Sequence, residues 1–240
     1  EDTRITVYHQ TNNGASAARN FGVSKSHGAY IAYIDSDDYI AGNYIERLVF
    51  AAQTTGAEVA VCGYSTTDSD HFAFDEAGTV QVVPGKQACK MQLQASGENP
   101  YATIFAVPWA KLLHRELAER FPFTYGIKWE DIDVSYCWLY ASEKVAICSD
   151  RLYAYYQNND GIIANLRRTE ALDTDRMQVL IRRAEFFERE REKELARLSW
   201  ARALRLLYCD SMEYDGRCDA QLKSCLHGRW YTGYISAGML

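Results

Sequence analysis

GAYIAYIDSDDY, residues 28–39, is the stretch on which the fold turns. Ala29 to Ile34 form an almost unbroken apolar run that ends in Asp35, Ser36, Asp37 and Asp38. Such a run predicts a strand buried on both faces of a parallel sheet. Upstream, ITVYH (5–9) reads as a β-type segment, QTNNG as a turn, and SAARNFGVSKS (16–26) as a helix capped by Ser16 and stopped by Gly28. Downstream, Tyr44, Ile45, Leu48, Val49 and Ala52 recur at helical spacing, with Asn43 and Glu46 placed like a capping box. AEVAVCGY (57–64) reads as the next strand. Strands alternating with helices predict an α/β sheet whose ligands gather at the carboxyl ends of strands, where the acidic cluster stands.

Farther along, residues 65–100 are polar and weakly periodic, which predicts an insertion or crossover loop with a short amphipathic piece over Ala88–Leu93. Val107 to Glu119 reads as a strand end running into a helix, and Val134, Cys137, Trp138 and Ala141 mark a helix that begins near Glu130. KVAIC (144–148) and LYAYY (152–156), separated by SDR, look like a hairpin. From Thr169 to about Tyr208 the chain reads as helical. The expected organisation is a domain over residues 1–165 and a helical C-terminal region over 166–240.

Among the 240 residues, Lys+Arg number 26 and Asp+Glu 32, a formal net charge of −6 that argues against a general nucleic-acid binder. A hydrophobic fraction of 48% excludes an intrinsically disordered chain. No apolar run approaches the roughly 18 residues of a membrane span, and EDTRITVYHQ lacks the features of a secretory leader. Most of the seven cysteines sit in apolar stretches, so reduced thiols in the cytoplasm are expected. Cys209, Cys218, Cys225 and His227 crowd together, but their spacing matches no zinc-ribbon or finger pattern.

Three constellations carry candidate chemistry. Asp35 and Asp37, in alternate positions after the strand, can share a hydrated Mg²⁺ or Mn²⁺ and its phosphate-bearing ligand; an acidic turn capping the next helix from Asp38 is the alternative. Arg19, early in a helix whose preceding turn holds Asn13 and Gly14, is placed to contact an anion or a base. Glu130 and Asp131 follow Trp129 at a helix start, where a carboxylate partly screened from water can serve as a general base.

Taken in order, SAARN, GAYIAYIDSDD, WAKLLHRE and FPFTYGIKWED resemble the family 2 glycosyltransferases, over roughly Val7 to Ile163. The resemblance implies the GT-A fold: an α/β, Rossmann-like, mostly parallel sheet flanked by helices, here with a C-terminal helical extension. It implies that Asp35, Ser36 and Asp37 form the metal and nucleotide-sugar motif, with Asp37 and Asp35 on the Mn²⁺ or Mg²⁺. It further implies that Asn13, Gly14 and Arg19 line the nucleotide side and that Asp131 is the catalytic base; Glu130 would orient Asp131 or touch the acceptor. Trp129 is assigned to the acceptor side, and Tyr155, Tyr156 and Asn158 could form an acceptor-side wall, because aromatic faces stack on sugar rings; packing within the hairpin is the alternative. The expected reaction is inverting transfer of one sugar from a nucleotide-sugar donor, a UDP-sugar, to a glycan or lipid-linked acceptor in surface polysaccharide or glycolipid synthesis.

The chain departs from the family at several points. The Pro-x-Tyr-Asn turn and the Asp-Asp-Gly-Ser strand end that grip the base are absent, so an incomplete N-terminus is expected. Ala110 stands where Asn often follows the Trp, and Leu226 precedes Arg229-Trp230 where processive synthases carry Gln. The rival reading is a catalytically inactive GT-A-like binding module; a DSD-type phosphatase is disfavoured by Asp38-Tyr39. Leu195, Leu198, Arg202, Leu204 and Arg205 could form a peripheral membrane contact, but core packing or a homodimer face is the favoured reading.

Overall fold

The organising element is a single 13-residue strand, Lys144–Tyr156, where the sequence suggests a hairpin. Ser149 and Asp150 are residues that turns favour, but here the segment is tied into the sheet by distant partners instead. Asp150 is fully buried and accepts hydrogen bonds from Arg47 Nε (2.8 Å) and Nη2 (2.6 Å), from Cys148 Sγ and from the Gly78 N–H. Burial opposes its charge, but those donors outweigh it and hold the carboxyl below the usual range.

The computed structural model describes residues 2–69, 72–75, 78–94, 99, 101–157 and 174–213. In chain order they form α1 (Gly14–Lys25), β1 (Tyr30–Ala32), β2 (Tyr39–Ile40), α2 (Tyr44–Thr55), β3 (Val59–Thr67), β4 (Val80–Pro84), α3 (Gly85–Leu93), α4 (Ala102–Ala106), β5 (Lys111–His114), α5 (Arg115–Arg120), α6 (Glu130–Ala141), β6 (Lys144–Tyr156), α7 (Thr174–Arg189) and α8 (Lys193–Glu213). The strand order is β1-β5-β3-β6-β2, with β4 also pairing β6. Only β3 and β6 run parallel; the other pairings are antiparallel, so the expected mostly parallel sheet is a mixed one. The reason is the return of β5 against both β1 and β3, and the length of β6, which accommodates β4 and β2 one after the other.

Local readings shift in instructive ways. Ile5 to His9 join no strand, and Ile5 and Val7 are 70% and 71% exposed; an extended segment without a paired neighbour gains no ladder hydrogen bonds. Helix α1 starts at Gly14, whose φ of +85° lets the chain turn inward, and Ser16 lies inside it, buried. It ends at Lys25, with the Ser26 N–H on Gly22 and Val23 carbonyls, before Gly28. Neither Asn13 nor Asn43 caps through its side chain, so no capping box forms at α2. β1 has three residues, of which only Ile31 is buried, while Tyr33 beyond its end packs on Phe123 and Trp138.

The expected loop over 65–100 holds the end of β3, then β4 and α3. A Cβ on Gly85 would lie 2.1 Å from the Leu139 carbonyl, so only glycine lets α3 start this close to the end of α6. The expected C-terminal helix is two, broken where Arg191 takes φ +60°. Met177, Leu180 and Ala184 of α7 pack with Trp200 and Ala203 of α8, and Phe187, Leu195 and Ala196 join the main core. The 165/166 boundary, Asn158, Cys218, Cys225, His227 and the Arg229-Trp230 pair lie outside the described residues. Cys62, Cys89, Cys137 and Cys148 are free thiols, and no described helix is long and apolar enough to cross a membrane.

Candidate active site

Three motifs far apart in sequence meet at one side chain. Arg19, on α1, donates from Nη1 to Glu130 Oε1 at 2.5 Å and from Nη2 to Asp35 Oδ1 at 3.1 Å. Its placement follows from the next residue: Asn20 Nδ2 donates to the Phe123 carbonyl at 2.8 Å, and the Phe123 N–H donates back to Asn20 Oδ1 at 2.9 Å. That clamp lays the guanidinium over the Phe123 ring, 5.2 Å from its centroid. Burial works against the charge of Arg19, but Asp35 and Glu130 outweigh it and raise its pKa. Asn13 and Gly14 stand exposed at the start of the same helix, six and five residues before Arg19 and so about 8–9 Å along its axis.

The acidic cluster is a turn, not an extended segment: the Asp38 N–H donates to the Asp35 carbonyl at 3.2 Å. Alternation along a strand therefore does not place Asp35 and Asp37 together, and the residues divide their tasks. Asp35 faces Arg19, and its N–H donates to Tyr153 Oη at 3.2 Å. Asp38 turns inward, accepting from Tyr153 Oη at 2.6 Å and from the Tyr156 N–H at 2.9 Å; it does not cap α2. Burial, with Asp35 and Asp37 adding, pushes its carboxyl up despite those two donors. Ser36 and Asp37 remain exposed.

Among the described residues no group of three or more His, Cys, Asp or Glu side chains is arranged to hold a metal. The donor set fits a different kind of site. Asp37 is exposed, and Asp35 keeps one oxygen beyond the one facing Arg19, so each presents a hard oxygen donor of the type a cation completed by phosphate and water takes.

Asp131 lies in the first turn of α6, after Trp129, whose φ of +61° sets the chain into the helix. Partly buried, it accepts the Ile132 N–H on Oδ1 at 2.8 Å. Burial, reinforced by Glu130, pushes its carboxyl up to about 6, against the pull of that N–H and of Arg19. It opens onto a cavity of about 350 Å³ lined also by Trp129, Thr103 and Val107 and by arginines of α7 and α8. The neighbouring Asp133 is structural: buried, it accepts from Thr124 Oγ1 at 2.6 Å and pairs with Arg182 at 3.0 Å.

Tyr155 and Tyr156 do not line this cavity among its described residues. Tyr155 stacks on Trp109 at 5.3 Å, as Tyr153 does at 4.8 Å, and Tyr156 lends its N–H to Asp38. Sequence reading also missed Lys111. Its ammonium is fully buried and donates to the carbonyls of Ile104 (2.8 Å), Phe105 (3.4 Å) and Val107, closing the end of α4. Burial pushes it down to about 7, while Asp131 supports its charge, as do three acceptors matched to three donors. A lysine inside the apolar strand KLLH was the available signal.

The family model for glycosyl transferase family 2 matches residues 1–121. The chain is 29% identical over 167 residues to the glycosyltransferase GlyG of Streptococcus pneumoniae serotype 4, covering 68% of this chain and 56% of GlyG. It is 29% identical over 165 residues to the uncharacterized glycosyltransferase EpsJ of Bacillus subtilis, covering 67% and 47%. The chain thus spans about half the length of the curated relatives it matches. Among solved structures it is similar to residues 1–349 of S. aureus TarS in complex with UDP-GlcNAc, with a TM-score of 0.60 at 13% identity, over 79% of this chain and 53% of that one. That likeness shows the GT-A fold.

Proposed function

We propose that this chain, which belongs to glycosyl transferase family 2, transfers one sugar from a UDP-sugar to an acceptor hydroxyl with inversion, in surface polysaccharide or glycolipid synthesis. The observation that carries the reading is the meeting of Asp35, Arg19 and Glu130 beside Asp131, a partly buried carboxylate whose pKa of about 6 suits a base working near neutrality. The complex of TarS with UDP-GlcNAc supports the donor class.

In this reading Asp131 accepts the proton of the acceptor hydroxyl as that oxygen bonds to the anomeric carbon. The bond from that carbon to the diphosphate breaks, and its electron pair leaves with the nucleotide. Arg19 holds Glu130 and Asp35 in place, so that neither carboxylate swings into the reacting centre. Asp37, with the remaining oxygen of Asp35, would hold Mn²⁺ or Mg²⁺, which supplies charge neutralisation to the departing diphosphate. Asn13, Gly14 and Ser36 are assigned to the nucleotide side and Trp129 to the acceptor side.

Calorimetry of UDP with and without Mn²⁺, on the full-length protein and on Asp37→Ala, tests the donor half. Metal-dependent binding that disappears in the variant supports it. Metal-independent binding that survives in the variant, with no turnover of any UDP-sugar, would overturn it in favour of a catalytically inactive binding module.

A further inference from the structure

The chain carries a net charge of −6, yet the cavity facing Asp131 is strongly positive. Arg176 and Arg183 reach it from α7, Arg202 and Arg205 from α8, and Asp131 is the single carboxylate among its described lining residues. The spacings of seven and three place each pair on one helix face. These guanidiniums crowd one another. Burial pushes Arg183 down to about 10, with Arg202 acting in the same direction, and burial lowers Arg202, with Arg176 and Arg205 adding to it. Arg183 is only 4% exposed, and its Nε is buried without a hydrogen-bond partner among the described residues. Arg176 lies over the Trp129 ring, 4.9 Å from its centroid, which carries the positive wall to the residue before Glu130 and Asp131. Among the described residues, Asp133 is engaged with Thr124 and Arg182, and Glu188 accepts from Trp200 Nε1.

Like charges gathered with an unmatched buried donor repel until an anion enters. Guanidinium forks match phosphate oxygens two at a time, and a volume of about 350 Å³ admits a phosphate together with one sugar or polyol unit. Resting on the transferase reading above, we propose that this cavity is the acceptor site and that the acceptor carries a phosphate group, held by Arg183, Arg202 and Arg205 while its hydroxyl meets Asp131.

The test uses the full-length protein and Arg202→Gln, Arg205→Gln and the double variant, with Arg183→Lys as a milder probe of the buried position. Three acceptors are compared: an oligo(glycerol phosphate), a monosaccharide linked to a short prenyl diphosphate, and a neutral glycoside. Transfer is read with a panel of UDP-sugars that includes UDP-GlcNAc, and binding of the oligo(glycerol phosphate) is read by calorimetry without donor. The expected result is preference for a phosphate-bearing acceptor, reduced about tenfold or more by each Gln substitution, since one charge-assisted hydrogen bond is worth roughly 1.5–3 kcal/mol. Which of the two is used distinguishes polymer from lipid as the source of the phosphate. Equal transfer to the neutral glycoside, or phosphate binding unchanged in the double variant, overturns the proposal. Phosphate binding lost in the double variant, with no donor turnover by the unaltered protein, supports the anion site and overturns the transferase reading instead.

Discussion

Arg19 and Glu130, 111 positions apart, are joined by a 2.5 Å hydrogen bond from Nη1 to Oε1, and the same guanidinium reaches Asp35. The side chains of Arg19 and Glu130 are 17% and 18% exposed, so the pair is largely screened from water and its strength should survive moderate salt. Through it, the motif after β1 and the start of α6 become one electrostatic unit.

Replacing Arg19 therefore acts on both halves. Arg19→Ala leaves Asp35 and Glu130 without their cation and removes a charge that holds Asp131 down. A loss of about a hundredfold in kcat/KM is expected, about 2.7 kcal/mol of transition-state stabilisation. The acid limb of the pH–rate profile should also move above about 6. Arg19→Lys should recover little, because a single ammonium cannot span two carboxylates with fork geometry. Steady-state rates from pH 5 to 8.5 on both variants check this.

The carboxylates of the acidic turn should separate cleanly. Asp37 is exposed, so Asp37→Ala is expected to change stability by less than about 0.5 kcal/mol while abolishing metal-dependent UDP binding. Asp38→Ala strips the acceptor from Tyr153 Oη and the Tyr156 N–H, and should cost roughly 1–3 kcal/mol of stability. Urea midpoints together with UDP calorimetry distinguish the two. Equal destabilisation by both would sink the assignment.

How far the sequence foretells this follows from what each feature depends on. The helices α2 and α6 and the strand β3 are legible because their apolar spacing is local. Arg19, Asp35, Glu130 and Asp131 are legible as a set, because together they match a family pattern. The single strand β6 is not, since its continuity rests on Asp150 meeting Arg47, 103 positions away. For the same reason the inward turn of Asp38 and the burial of Lys111 are hidden: each depends on partners brought by distant segments. The arginine-lined cavity is hidden as well, because Arg202 and Arg205 line it only once α7 brings Arg176 and Arg183 beside α8.

Lys111 should matter to both stability and the base. Lys111→Met fills the space of the stem but leaves the carbonyls of Ile104, Phe105 and Val107 without their donor, a cost of roughly 2–3 kcal/mol. It also removes a positive charge whose field reaches Asp131, so the acid limb should rise above about 6. Measuring the urea midpoint and the pH–rate profile on one preparation separates the two effects. A lower midpoint with an unmoved limb would confine Lys111 to a structural role.

Asp131→Asn should reveal that the base is held at the expense of stability. The folded-state pKa of Asp131, about 6, lies above its ordinary value of 3.8, because burial disfavours the charged form. The folded protein therefore binds more protons than the unfolded chain between these values, and stability falls as pH rises through that window. A shift of about two units corresponds to about 3 kcal/mol, which the partial exposure of Asp131 reduces to about 1–2 kcal/mol. Asparagine carries no such penalty. The variant is expected to be more stable than the parent at pH 7.5 by about 1–2 kcal/mol, and indistinguishable from it below about pH 4. Its transfer rate should fall by about 10²–10⁴, the contribution of a positioned general base. Urea unfolding at pH 4 and 7.5 beside the rate assay decides the matter. A variant that loses activity with no gain in stability at pH 7.5 would mean that Asp131 is not the strained, proton-accepting carboxylate that its surroundings make it.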